Sequence, residues 1–232
     1  VNNKVVSAVA LLVIGAVLFG LYQRARVTPV NVRIPFAGTP AEQWQDGEKG
    51  IETPSADPVY ERVRQALIAS RTDPVMIGEH RPEKFLAMLA PDVRGEVARD
   101  LPGWTTRLKS GTRLLGVKVS GKMTLGEKNG YPAVITDYVF AYAFEPPDPK
   151  KLRHQMEMVA ASRQQVTFTV TPDGLWPSDA TGFQYSIACG AARDGFLAPQ
   201  FTEPAEPGDG VAKDDRKYFS TDGRMPSENT CD

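Results

Sequence analysis

The chain reads as an α+β protein with one N-terminal transmembrane helix, followed by helices packed on a curved antiparallel sheet. Three observations predict this. Val5 to Tyr22 is an unbroken run of 18 residues without a charge. Between Asp57 and Leu101 apolar residues recur at helical spacing, and after Pro102-Gly103 the spacing falls to two. Helices that precede a run of long strands are the order of an α+β fold rather than of alternating β-α-β units.

At 1.5 Å per residue the Val5–Tyr22 run makes a helix about 27 Å long, close to the hydrocarbon thickness of a bilayer. It leads into Gln23, Arg24, Ala25 and Arg26 with no small-x-small cleavage pattern, so it reads as a retained anchor and not as a signal peptide. The lipid bilayer is therefore the first partner. Residues 1–22 form the tail and anchor, 23–56 an extracytoplasmic linker, 57–200 the folded domain and 201–232 a Pro/Gly-rich tail. The linker carries Pro29, Pro35, Gly38, Pro40, Gly47, Gly50 and Pro54. Its one apolar piece, VNVRIPF, is expected to add an edge strand or lie against the domain.

Asp57-Pro58 opens the first helix, with Asp as N-cap and Pro at the first helical position. Val59, Val63, Ala66 and Leu67 share one face, and the helix ends near Ser70. A second helix starts from Pro82 and buries Phe85, Leu86 and Leu89. A third starts at Pro91 with Val93, Val97 and Leu101. Residues 112–125 then alternate, with Leu115, Val117, Val119, Met123 and Leu125 apolar and Lys118, Ser120, Lys122 and Thr124 polar, which gives a strand with one wet face. Asn129-Gly130 supplies a tight hairpin. The return strand, Tyr131–Phe144, is apolar on both faces. Val134, Tyr138, Phe140, Tyr142 and Phe144 lie on one, and Ala133, Ile135, Val139, Ala141 and Ala143 on the other. It is therefore central, with helices on one side and something else on the other. Arg153–Thr171 reads as a long strand bent near Ala160–Ser162, and Phe183–Ala188 as a last short strand.

The side of the membrane is contested by two signals. Lys4 and the amino terminus stand against Arg24, Arg26 and Arg33, which taken alone favours a cytoplasmic domain. The two cysteines, Cys189 and Cys231, point outward. Cys231 sits in a polar tail, SENTCD, that has no apolar reason to dock. A disulfide to Cys189 would pin it, and that needs an oxidising compartment. The alternative is two unrelated free thiols. On the disulfide reading the protein is a single-pass protein of the cytoplasmic membrane with its C-terminal domain outside.

The layout resembles the membrane-tethered NTF2-like components of bacterial secretion and conjugation machines of the VirB8 type. Those have a short N-terminus, one anchor, a linker and one cone-shaped α+β domain outside the membrane. The Ala/Arg/Asp/Pro-rich style is similar to that of actinobacterial cell-envelope proteins. The resemblance covers roughly residues 57–190 and implies helices filling the concave face of the sheet.

The charge balance is 27 basic against 28 acidic side chains, a net charge of −1, which gives nucleic acid no basic surface to bind. Asp137 is the one candidate catalytic residue. It interrupts the apolar Ala133/Ile135/Val139/Ala141 face, where desolvation would raise its pKa and suit it to act as a base; the resemblance adds that NTF2-like enzymes often place an Asp or His in the cone. The structural alternative is a carboxylate paired with an arginine or a backbone donor. Tyr138, Phe140, Tyr142 and Phe144 are a candidate apolar pocket or plain core. His80 and His154 read as surface residues, and their spacing makes no metal site. There is no nucleophile elbow, no HExxH and no phosphate-cradling glycine run, so no cofactor is expected. The leading expectation is a non-enzymatic envelope component that binds partner proteins. The alternatives are binding or sensing of an apolar molecule in the cone, and an NTF2-like enzyme using Asp137.

Overall fold

The computed structural model describes residues 30–204, 215–225 and 231. The anchor at Val5–Tyr22 lies outside the described residues, and among those described no helix is long and apolar enough to cross a membrane.

Helix α1 (Pro58–Arg71) starts as its sequence dictates: Asp57 accepts a hydrogen bond from Val59 N at 2.9 Å, with Pro58 in the first turn. The same Asp-Pro device recurs at once. Asp73 accepts from Val75 N at 2.9 Å and opens α2 (Pro74–Glu79). This helix has too few apolar repeats to be read from periodicity, although its cap is as clear as the first. Helices α3 (Glu83–Met88), α4 (Pro91–Arg99) and α5 (Leu101–Trp104) follow. Phe85, Leu89, Val93 and Val97 are buried, as the spacing predicts, while Leu101 starts the separate short helix α5 instead of ending α4.

The five-stranded sheet is an antiparallel meander in the order β1 (Gln45–Asp46), β2 (Leu114–Lys128), β3 (Tyr131–Phe144), β4 (Val159–Thr171) and β5 (Gly174–Tyr185). Asn129 and Gly130 have φ of 54° and 77°, the paired positive values of a tight primed turn, and they set Lys128 opposite Tyr131. Two expectations need correction. The chain over Gln155–Met158 is a 3-10 turn, so β4 begins only at Val159. Strand β5 begins nine residues earlier than Phe183, because Pro177 and the polar residues around it hide the alternation. A proline is tolerated there since β5 is an edge strand.

The sheet has an inner face under the helices and an outer face. On the inner face Val134, Tyr138, Phe140, Tyr142 and Phe144 join the helices' apolar side in the main core. On the outer face Val139, Ala141 and Ala143 form a second core with Phe36, Ala41, Phe183, Tyr185 and Phe219. Phe36 and Ala41 come from the expected linker, and Phe219 comes from the expected tail. From residue 30 onward the linker is thus packed chain, and its Gln45–Asp46 pairs with β2. The tail also returns, and Trp44 meets Phe219 with ring centroids 6.0 Å apart. The small side chains of β3's odd positions explain the arrangement. Ala141 and Ala143 leave a shallow surface that irregular chain carrying isolated large side chains can cover.

Candidate functional site

Asp137 lies on the outer face, away from the helices. Its two carboxylate oxygens accept from Arg163 Nε at 2.9 Å and Nη2 at 2.8 Å. Arg163 Nη2 also donates to the carbonyls of Thr221 and Gly223, at 3.1 and 3.2 Å. Asp137 is 8% exposed and Arg163 3%. The carboxylate expected as a candidate base is therefore one half of a buried, two-pronged ion pair that also ties down the C-terminal segment. In register Arg163 sits opposite Val139, two positions along β3 from Asp137. A lone charged residue on the same face of a neighbouring strand was the signal that sequence reading passed over.

The aromatic row is core. Tyr138, Phe140, Tyr142 and Phe144 are each at most 1% exposed. Successive rings run 6.2 and 6.5 Å apart along the strand. The two hydroxyls find backbone partners: Tyr138 donates to Glu52 O at 2.8 Å and Tyr142 to Arg71 O at 2.9 Å. Burial pushes both phenols up, Tyr142 to about 12, so both stay protonated donors. Gly121 makes room for Tyr138, because a Cβ there would collide with the ring. Thr106 Oγ1 lies 2.9 Å from the Tyr142 hydroxyl.

Arg71 is the polar residue that periodicity could not reveal. It closes α1 at the bottom of the main core, bonded through Nη2 to Gly103 O at 3.2 Å and through Nη1 to Thr106 Oγ1 at 3.4 Å. Desolvation lowers its pKa to about 10, which leaves it charged at neutral pH. His80 is half-buried rather than a plain surface residue. It ends α2 at φ 60°, its Nε2 lies 2.8 Å from Leu108 O, and its ring lies 5.2 Å from Phe196. His154 lies 3.5 Å from Glu157. Among the described residues no cluster of His, Cys, Asp or Glu could hold a metal ion.

Cys189 and Cys231 are joined in a disulfide, with their Cα atoms 5.2 Å apart and a separation of 42 positions in sequence. Cys189 opens α6 (Cys189–Arg193), whose first amides are held by Glu203 through Gly190 N at 2.8 Å and Ala191 N at 3.0 Å.

Among the described residues, two of the surfaces open to other molecules bear on function. One is a cleft of about 280 Å³ between α5 and strands β4 and β5, bordered by Asp100, Trp104, Gln164 and Thr181. The other is the end of the outer face that neither flank covers. There Tyr131, Ile135 and Trp176 are 44%, 38% and 38% exposed. Pairing of Ala133 with Thr169, and of Thr169 with Trp176, places the three on one face. No protein-family model matches the sequence, and neither a curated protein nor a solved structure matches it.

Proposed function

We propose that the chain is a membrane-anchored, extracytoplasmic interaction component of a bacterial cell-envelope assembly, holding partner proteins without catalysing a reaction. On this reading Val5–Tyr22 is its single-pass anchor in the cytoplasmic membrane, and its domain is a cone of the NTF2-like kind in a VirB8-type layout. The observation that carries the reading is the bare end of the outer face. Exposed Tyr131, Ile135 and Trp176 lie together on a sheet face whose other half is buried, and large apolar side chains grouped in this way mark protein contacts. The chain enters the domain at the opposite end, where Asn31 N donates to Gln155 Oε1 at 2.9 Å. From there to the Lys128–Tyr131 hairpin is about 40 Å along β3. An anchor at one end would hold the apolar end out toward a partner. The Cys189–Cys231 disulfide supports the oxidising side of the membrane.

The test is co-purification from mild detergent, with Trp176→Ser and Ile135→Ser as comparison, and labelling of a surface cysteine with a membrane-impermeant reagent. A specific partner recovered with the parent chain and lost with the two variants supports the reading. Recovery of the chain alone, or a domain closed to the reagent in intact cells, overturns it.

A further inference from the structure

A cleft opens beside α5, where the helix layer meets strands β4 and β5. Four residues with polar groups in their side chains border it: Asp100, Trp104, Gln164 and Thr181. None of the four side chains forms a hydrogen bond or ion pair with another described residue. No lysine or arginine lines the cleft. Glycines complete the walls. A Cβ at Gly103 would press on the Asp100 carboxylate at 2.8 Å, and one at Gly182 would meet Arg163 O at 3.0 Å.

Size and chemistry together select the occupant. At about 280 Å³ the cleft falls just short of the range that encloses a drug-sized ligand, so it fits a group of side-chain size. A carboxylate without a protein partner and an indole bordering one cleft favour a cation, and Gln164 and Thr181 bring side chains able to accept hydrogen bonds. A guanidinium meets all of these at once. It is planar enough to lie on the indole, it forks onto a carboxylate, and it has further donors to spare. A lysine ammonium offers neither the plane nor the fork. We propose that this cleft is a subsite for an arginine side chain presented by a partner chain. The proposal deepens the interaction reading above and rests on it only for the source of the arginine. Arg71 donates to Gly103 O from within the fold, and its charge opposes a second cation. The Asp100 carboxylate must therefore supply the attraction.

The full-length chain in detergent micelles, labelled with ¹⁵N, is titrated with Nα-acetyl-arginine amide while the Trp104 indole and Gly103 amide resonances are followed. Saturable shifts are expected, with a dissociation constant of about 1 mM. Asp100→Asn should weaken binding about tenfold. Its side chain is unpaired, so the fold should survive, and the same spectrum reports on that. Trp104→Phe provides a second variant and should also weaken binding. Nα-acetyl-citrulline amide, which has the same shape without the charge, should not saturate, and Nα-acetyl-lysine amide should bind more weakly than arginine. Absence of saturation by the arginine amide overturns the proposal, as does an equal response to citrulline or lysine, or unchanged affinity in Asp100→Asn. Because the probe is a free amide, failure to recover a partner in the co-purification would leave the cleft standing, and an empty cleft would leave the outer-face reading standing.

Discussion

Asp137 and Arg163, on adjacent strands, close a two-pronged ion pair beneath the C-terminal segment, and the same Arg163 Nη2 holds the Thr221 and Gly223 carbonyls. Two charges this deeply buried are costly to bring together, and the bidentate geometry with two extra acceptors offsets that cost. Removing one partner leaves the other charged and unpaired. Asp137→Asn should therefore destabilise the fold by about 3–5 kcal/mol, a loss that urea unfolding can resolve. Replacing both together, with Asp137→Val and Arg163→Met, should cost less than the single change. A double variant as unstable as Asp137→Asn would show that the pair does more than neutralise itself.

The disulfide closes a loop of 42 residues that includes the segment over the outer face. In the chain-entropy account a loop of this length is worth roughly 4 kcal/mol, because the cross-link restricts the unfolded chain. The Cys189→Ser, Cys231→Ser double variant should lose about that much in urea, and a reducing agent should destabilise the parent chain but not the variant. A mass map of the chain from cells that found both thiols free would remove the support for an oxidising compartment.

The returning tail is held by rings as well as by Arg163. Tyr218 stacks on Tyr185 with centroids 4.4 Å apart, and Phe219 is buried among Trp44, Tyr185 and the outer core. Phe219→Ala should cost about 3 kcal/mol and raise the rate of proteolysis at Lys217, which then lies on a loosened segment. If Phe219→Ala left both stability and cleavage unchanged, the outer core would not depend on the tail.

Much of this architecture was legible in the sequence, and what was missed has a common cause. Regular elements announce themselves by period. Asp57-Pro58 began a helix, Asn129-Gly130 made the hairpin, and the two apolar faces of Tyr131–Phe144 marked the central strand. The layer that covers the outer face has no period. Phe36 and Trp44 lie in irregular chain and Tyr218 and Phe219 in one short 3-10 turn, so proline and glycine around them read as tether and tail. Yet a strand apolar on both faces required a second cover, and those four side chains are what the flanks had to offer. The same blindness applied to the candidate site. Asp137 was visible as an anomaly, but its partner and its face depend on the pairing of β3 with β4. The cleft joins Asp100 and Trp104 to residues some sixty to eighty positions later, a proximity that only the folded sheet creates.

Glu203 provides a prediction in pH. Its carboxylate pKa is held below the ordinary 4.5, first by the Gly190 N–H and, against the desolvation that opposes it, by the Ala191 N–H and Lys109. The absence of a side chain at Gly190 permits the approach, since a Cβ there would lie 2.8 Å from Glu203 Oε1. These contacts fasten the start of α6, the helix that carries Cys189. A depressed folded-state pKa means that the ionised carboxylate stabilises the native chain above the unfolded value of 4.5 and ceases to do so as pH falls through the folded one. Glu203→Gln should accordingly cost about 1 kcal/mol at neutral pH, a modest figure because the group keeps part of its solvent contact. The deficit should shrink as both proteins are acidified below 4.5. Urea unfolding across the acid range measures it, and a deficit that stayed constant with pH would show that the charge of Glu203 does not hold the helix.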